Sequence, residues 1–269
     1  RSKNIWDRGY LEFRMTLFPS QRIKIGIFDS GMGGISVLRE MNNTLKGVDF
    51  IYYGDITNSP YGKKSKEEIT ILTKIACDFF IKEKADAIVL ACNTATSASV
   101  KLLRELNNVP IFGMEPAIKP ALLENPDKKV AILATQFTIS EEKFQELGKN
   151  LNATDRLSSY PCEGLATLVD NQKIEESKEF LRPILEKIQK EKIEIIVLGC
   201  THYVLLKEVF SELYPACKLY DGNKGTAIHV LKSIGINTDI PSENRIELFL
   251  NGGTVTDYEI ANYYILKEI

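Results

Sequence analysis

Two stretches of the sequence nearly repeat each other: A-I-V-L-A-C-N-T at residues 87–94 and I-I-V-L-G-C-T-H at residues 195–202. Each is a short apolar run followed at once by a cysteine, which is typical of a buried strand of a parallel sheet with a thiol at its carboxyl end. The apolar runs at residues 24–28 and 129–134 match each other at nearly the same spacing. We infer a degenerate duplication that gives two similar α/β units, each with a cysteine at the end of a central strand.

The rest of the chain alternates between apolar runs and segments with helical periodicity, as in parallel sheets that are covered by helices on both faces. The predicted strands are residues 23–28, 50–54, 87–91, 111–113, 129–134 and 195–199. Helices are predicted over residues 35–41 and 66–83. The predicted fold class is therefore α/β.

The length and composition indicate a globular protein of two domains. The 269 residues correspond to about two domains of ordinary size, and 44% apolar and 26% charged residues are typical globular values. The formal net charge of −2 provides no basic field, so we expect no nucleic-acid partner. No run reaches the ~18 apolar residues of a membrane span, so we expect no membrane association.

Residues 1–22 precede the first predicted strand and lack the continuous apolar region of a signal peptide, so we interpret them as an N-terminal extension. The odd number of cysteines and the absence of a C-x-x-C pair argue against a secreted disulfide framework. We therefore expect a cytoplasmic protein with reduced thiols.

The five cysteines divide by position. Cys92 and Cys200 each follow a strand and precede a helix start, where the helix dipole and free N–H groups lower the pKa of a thiol, so both are predicted to be reactive. Cys77 lies on the apolar face of a predicted helix and is assigned to the core. Cys162 is at most a neighbour of the site, and Cys217 is assigned no role.

The loop D-S-G-M-G-G at residues 29–34 joins a strand to a helix, and its backbone N–H groups suit an anion such as a carboxylate. Asp29 is a candidate to hold an ammonium group, or else a turn-forming residue. His202 is a candidate acid/base partner of Cys200, or else a capping residue. Because the chain has neither C-x-x-C nor H-x-x-x-H spacing, we expect no metal site. His229 is assigned a structural role.

Two equivalent thiols facing one cleft suit racemisation, in which one base removes a proton from a carbon and a second acid returns a proton to the opposite face. The developing enolate-like carboxylate must then be stabilised by hydrogen-bond donors. Backbone N–H groups and the hydroxyls of Ser30, Thr94 and Thr201 are the candidates.

Five motifs in order closely resemble the cofactor-independent Asp/Glu racemase family, and within it the glutamate racemases. They are D-S-G-M-G-G-I-S-V-L (29–38), G-D-x-x-N-S-P-Y-G (54–62), A-C-N-T-A-T-S (91–97), L-G-C-T-H-Y (198–203) and D-G (221–222). The resemblance runs from about residue 23 to residue 222.

The resemblance implies that Cys92 and Cys200 are the two catalytic acid/base thiols, assisted by Asp29 and His202. The family usually carries a glutamate near the end of a segment F-V-P-L-V-E. The matching segment here, L-A-T-L-V-D, ends in Asp170, whose side chain is shorter by one methylene. Glu163 is a less favoured substitute. The implied substrate-binding positions are Asp29, Ser30, Tyr61, Gly62, Asn93, Thr94, Thr201, His202 and either Thr135 or Thr138.

The resemblance also implies two pseudo-symmetric flavodoxin-like domains with parallel sheets and an active site in the cleft between them. The implied first domain is residues 23–113 plus 222–269, and the second is residues 114–221. The implied activity is cofactor-independent interconversion of L- and D-glutamate in a cytoplasmic homodimer, which supplies D-glutamate for peptidoglycan synthesis and so for cell wall biogenesis and cell shape.

The sequence leaves three alternatives open. The first is an aspartate or hydantoin racemase of the same superfamily, the second is a non-catalytic carboxylate-binding protein that keeps the fold, and the third is a pyridoxal-phosphate racemase. The paired cysteines disfavour the second, because binding a carboxylate requires no thiol. The absence of a lysine at both matched strand ends disfavours the third.

Overall fold

The computed structural model describes residues 22–141, 146, 148–235 and 243–266, so the predicted N-terminal extension lies outside the described residues except for Arg22. These residues form two sheets of parallel strands. The strands are β1 (Ile23–Asp29), β2 (Val48–Gly54), β3 (Ala87–Leu90), β4 (Ile111–Gly113), β5 (Val130–Ala134), β6 (Leu157–Pro161), β7 (Ile195–Leu198), β8 (Lys218–Tyr220) and β9 (Arg245–Leu250).

The two sheets share one strand order. The first sheet runs β4-β3-β1-β2-β9 and the second runs β6-β5-β7-β8, so in each half the second strand lies beside the first, followed by the third and the fourth. This is the beginning of the flavodoxin-like order. β3 and β7 are therefore equivalent strands, which confirms the predicted fold class of two similar parallel α/β units.

Helices connect the strands and cover both sheets. They are α1 (Ile35–Thr44), α2 (Lys66–Lys82), α3 (Asn93–Leu106), α4 (Ile118–Glu124), α5 (Gln136–Ser140), α6 (Leu165–Asp170), α7 (Ile174–Lys190), α8 (Thr201–Val204), α9 (Lys207–Leu213), α10 (Asn223–Ile234) and α11 (Val255–Leu266). The start of α2 is fixed by a capping box, in which Ser65 Oγ accepts from the Glu68 N–H and the Glu68 carboxylate accepts from the Ser65 N–H.

The elements predicted from the sequence are present, with ends that differ by one to a few residues. The strands that the sequence did not indicate are β6, β8 and β9. Each lies at an edge of its sheet, and each carries half-buried or exposed side chains that interrupt the apolar pattern. β9 pairs with β2 and thus brings a late segment of the chain into the first sheet. The boundaries predicted for the two domains stay a prediction.

The apolar core follows the two sheets. In the first half, Ile27 of β1 and Val89 of β3 pack with Leu38 of α1 on one face, while Phe28, Leu90 and Phe80 pack on the other. The second half has equivalent clusters on both faces of its own sheet. Burying both faces leaves the carboxyl ends of the strands as the place where polar groups collect.

Cys77 is fully buried in α2, within the same apolar cluster as Ile69 and Phe80, as the sequence predicted. We expect Cys77→Ala to lower the free energy of unfolding by about 1 kcal/mol, because a buried sulfur is lost and a small cavity remains. Urea unfolding measures the change. Cys217→Ala, at a half-buried thiol, is the matched control and should have a smaller effect; equal midpoints for Cys77→Ala and the unmutated protein would contradict the assignment.

Candidate active site

A cavity lies where the carboxyl ends of the central strands of the two halves approach each other. Residues of both halves line it, and the junction between two structural units is a frequent location of small-molecule sites. The predicted site residues that line it are Ser30, Tyr61, Gly62, Cys92, Asn93, Thr94, Thr135, Glu163, Cys200 and His202. Cys162 also lines it, as the sequence suggested. Both paired cysteines thus reach one cavity, from equivalent strands of the two halves.

Cys92 caps the N-terminus of α3 and is held as a buried thiol. Its Sγ accepts a hydrogen bond from the Ala95 N–H at 3.4 Å and lies 3.3 Å from Ser30 Oγ. Burial, followed by the nearby Asp29, raises the pKa of Cys92 to about 12, although Ser30 and the Ala95 N–H oppose this shift. The prediction that the helix terminus would lower the pKa of Cys92 is therefore wrong. Burial removes water from the thiolate and raises the pKa by more than the helix N–H group lowers it.

Cys200 precedes α8, which is a single helical turn, and is also buried. Its Sγ lies 3.7 Å from His202 Nδ1. The proximity of the ring to the thiol follows from local geometry, since residue 202 falls in the first turn after the strand. The structure therefore places His202 beside Cys200, as the sequence predicted.

His202 and Asp170 form a buried ion pair, with 2.9 Å between Nε2 and Oδ1. Burial alone would lower the pKa of His202, but the Asp170 carboxylate raises it well above the ordinary value. Burial would likewise raise the pKa of Asp170, but the charge and hydrogen bonds of its neighbours, His202 foremost, lower it. Asp170 is thus the carboxylate that supports His202, whereas Glu163 is exposed and lines the cavity.

Asp29 lies behind the cavity wall, fully buried at the end of β1. Its carboxylate accepts from the Gly31 N–H at 3.0 Å and from the Thr201 hydroxyl at 2.9 Å. Burial raises the pKa of Asp29, while the positive charge of His202 and these hydrogen bonds counteract part of the shift. Asp29 therefore links the first half to Thr201 in the second. Contact with a substrate ammonium group stays a prediction.

The loop at residues 29–34, which we call the glycine loop, packs directly against α8. A Cβ added at Gly33 would lie 2.5 Å from the backbone nitrogen and Nδ1 of His202, so no side chain fits there. The Met32 N–H donates to Asp170 Oδ1 at 3.3 Å. The loop was expected to offer its N–H groups to a ligand anion, but those of Gly31 and Met32 instead bind carboxylates of the protein itself.

Polar groups for a ligand come from the start of α3 and from the segment after β5. The hydroxyls of Thr94, Thr135 and Thr138 lie within 3.0–3.4 Å of one another; Thr135 lines the cavity, whereas Thr138 is buried behind it. Within the described residues, neither polar atom of the buried Asn93 side chain has a hydrogen-bond partner. A buried amide without partners is unfavourable, so it is available to a ligand in the cavity.

The predicted Tyr61 and Gly62 form part of the cavity wall. The Tyr61 hydroxyl donates to Asp55 at 2.7 Å, so the phenol is engaged within the first half. Gly62 lies against Thr135 of the second half, since an added Cβ would be 3.3 Å from its side chain. Sequence reasoning missed Asp55 as the hydrogen-bond partner of Tyr61, although it belongs to the quoted motif at residues 54–62.

Within the part of the chain that the structure describes, no group of three or more His, Cys, Asp or Glu side chains is arranged to hold a metal ion. His229 lies away from the cavity, in α10, with its ring edge-on to Phe112.

Residues 25–230 match the family described as Asp/Glu/Hydantoin racemase. The chain belongs to this family. It is an amino-acid racemase, an isomerase. No helix within the described residues has the length and apolar character needed to cross a membrane.

Similarity to several glutamate racemases supports the membership of the chain in this family. The glutamate racemase of Leptospira interrogans is 50% identical over 252 residues, which cover 91% of this chain and 98% of that one. The glutamate racemase of Halothermothrix orenii is 40% identical over 254 residues, covering 92% and 100%. Among solved structures, Escherichia coli glutamate racemase in complex with L-glutamate and an activator has a TM-score of 0.77 at 28% identity, covering 91% of this chain and 96% of that one.

The buried ion pair makes the stability of this racemase depend on pH. The raised pKa of His202 gives stabilisation that is complete below its unfolded value of ~6.5 and is lost as the pH rises through the folded value. The lowered pKa of Asp170 gives stabilisation that is complete above ~3.9 and is lost as the pH falls through the folded value. The pair therefore stabilises the fold most between about pH 4 and pH 6.5.

We expect Asp170→Asn to lower the free energy of unfolding by on the order of 3 kcal/mol in that window, and by less on either side. Urea unfolding at a series of pH values measures the difference from the unmutated protein. Asp78→Asn, which removes one member of the exposed Lys74–Asp78 pair, is the control and should change stability little at any pH. A loss for Asp170→Asn that does not vary with pH would contradict the assigned pair.

Proposed function

We propose that this racemase interconverts L- and D-glutamate by two-base proton transfer at Cα. The observation that carries the proposal is the arrival of Cys92 and Cys200 at one cavity from equivalent strands, β3 and β7, of two similar halves. Two acid/base groups on different walls of one cavity are what inversion at a carbon requires. The names of the relatives support glutamate as the substrate.

In the proposed mechanism, one sulfur acts as a thiolate and takes the Cα proton, forming an S–H bond as the C–H bond breaks. The other sulfur, as a thiol, gives its proton to the opposite face of the planar carbanion. Burial, with the nearby Asp29, keeps Cys92 as a thiol before substrate binds, which suits it to be the proton donor. The His202 ring beside Cys200 offers a positive counter-charge to a thiolate there.

The carbanion has enolate character, so its carboxylate must gain negative charge that hydrogen-bond donors can balance. The unpartnered amide of Asn93 and the hydroxyls of Thr94 and Thr135 supply such donors at the cavity wall. The Ser30 hydroxyl orients the thiol of Cys92, which lies 3.3 Å away. The Thr201 hydroxyl donates to Asp29 and orients its carboxylate. We propose that Asp29 and His202 assist the two thiols and face the ammonium side of the substrate.

The proposal includes the biological setting that the family resemblance implies. The enzyme acts without a cofactor in the cytoplasm and supplies D-glutamate for peptidoglycan. D-Glutamate is the product that distinguishes this role from the use of L-glutamate in ordinary metabolism.

We also propose that the protein is a homodimer. Light scattering coupled to gel filtration should give a mass about twice the 30.3 kDa of the chain. A mass of one chain at micromolar concentration would contradict this.

The test of function is incubation of metal-free and cofactor-free protein with L-glutamate in deuterated water. We expect loss of optical rotation with uptake of deuterium at Cα. Cys92→Ala and Cys200→Ala should each reduce racemisation by about 10²–10⁴-fold or more, because each removes a proton-transfer group.

Cys77→Ala, which changes only the core, is the matched control and should racemise glutamate at the unmutated rate. The two-base proposal would be contradicted if the unmutated protein showed no exchange, or if Cys92→Ala and Cys200→Ala both retained activity. Racemisation of aspartate in preference to glutamate would overturn the substrate.

A further inference from the structure

Ser59 makes a contact with the site that the mechanism above does not use. It lies in the first half, on the loop between the helical turns Ile56–Asn58 and Tyr61–Lys63. Its hydroxyl donates to Asp170 Oδ2 of the second half at 2.9 Å. Ser59 is partly buried and also lines the cavity. The hydroxyl therefore crosses from one half of the protein to a carboxylate of the other.

The two oxygens of Asp170 have different partners. Oδ1 lies 2.9 Å from His202 Nε2 and accepts from the Met32 N–H at 3.3 Å, while Oδ2 accepts from Ser59. Asp170 is the last residue of the short helix α6. The bond from Ser59 restrains rotation of the carboxylate plane and keeps Oδ1 directed at His202.

A continuous line of contacts runs from Ser59 through Asp170 and His202 to Cys200, where Nδ1 and Sγ are 3.7 Å apart. Cys92 is not on this line, since its hydrogen-bond partners among the described residues are Ser30 and the Ala95 N–H. Loss of the Ser59 hydroxyl should therefore affect proton transfer at Cys200 and not at Cys92.

We propose that Ser59 is a positioning residue for proton transfer at Cys200, acting through Asp170 and His202. This inference rests on the proposed racemase function. Ser59 and Met32 belong to the first half and Asp170 to the second, so the line is complete only when the halves are in contact. The alignment of the Cys200 side therefore depends on contacts from both halves.

The test compares Ser59→Ala with Ser59→Thr, which keeps the hydroxyl, and with Thr57→Val as the matched control. Thr57 lies two residues before Ser59, in the helical turn Ile56–Asn58, and its hydroxyl donates to the Asn251 carbonyl rather than to the site. We expect Ser59→Ala to lower kcat by about tenfold with KM within about twofold, because the lost hydrogen bond to a charged group acts on the alignment of Asp170 and His202 rather than on substrate binding. Ser59→Thr should recover most of the rate, and Thr57→Val should retain it.

Isotope effects on kcat/KM distinguish positioning from general damage. With substrates deuterated at Cα, Ser59→Ala should enlarge the effect for the enantiomer that Cys200 deprotonates and reduce it for the other, because only the Cys200 step slows. His202→Asn should likewise enlarge the isotope effect for the enantiomer that Cys200 deprotonates and reduce the effect for the other. Equal effects for the two enantiomers, or a rate loss that Ser59→Thr does not recover, would overturn the proposal.

A second readout does not depend on activity. The chain has two histidines, so the His202 ring protons can be assigned in an NMR titration with a single substitution at His229. Ser59→Ala should lower the pKa of His202, because a carboxylate that rotates away supports the imidazolium less. An unchanged titration would overturn the positioning role. If the unmutated protein does not racemise glutamate, the proposed function fails, and the titration still decides whether Ser59 holds the Asp170–His202 pair.

Discussion

The contact between the glycine loop and α8 is the constraint on which the site depends. Gly33 brings the loop against the backbone of His202 so closely that no side chain fits between them. That approach lets the Met32 N–H reach Asp170, and it buries the ion pair of Asp170 with His202. Buried charges are unfavourable unless they are paired and hydrogen-bonded, and here the hydrogen bonds come from both halves. Neither half alone has a complete set of polar partners.

The scaffold is nearly symmetric, but its chemistry is not. Cys92 and Cys200 follow equivalent strands, yet Cys92 lies near a carboxylate, Asp29, and Cys200 lies beside an imidazole. The proposed two-base mechanism needs one sulfur as a thiolate and the other as a thiol when the substrate binds. A duplicated fold supplies two equivalent positions, and the different neighbours place a carboxylate near one sulfur and an imidazole beside the other.

The sequence predicted the fold and most of the cavity wall because strand ends are readable from apolar runs and ligands collect at those ends. It predicted the pairing of His202 with Cys200, since two residues after a strand fall in one helical turn. It did not predict the raised pKa of Cys92, because burial at that position depends on packing between residues that are distant in the chain. Ser59 was missed for a similar reason, as its partner Asp170 is distant in the chain. The edge strands β6 and β8 lack the continuous apolar pattern that marks central strands.

The position of β9 has a consequence for the order in which the protein forms on the ribosome. Synthesis proceeds from the N-terminus, so β1 to β4 emerge first and the complete second sheet emerges before β9. Until β9 arrives, β2 presents an open edge of unpaired N–H and C=O groups, which is the kind of edge that recruits other chains. The sheet that is begun first is thus the last to be completed, and the nascent chain carries this open edge throughout the synthesis of the other half.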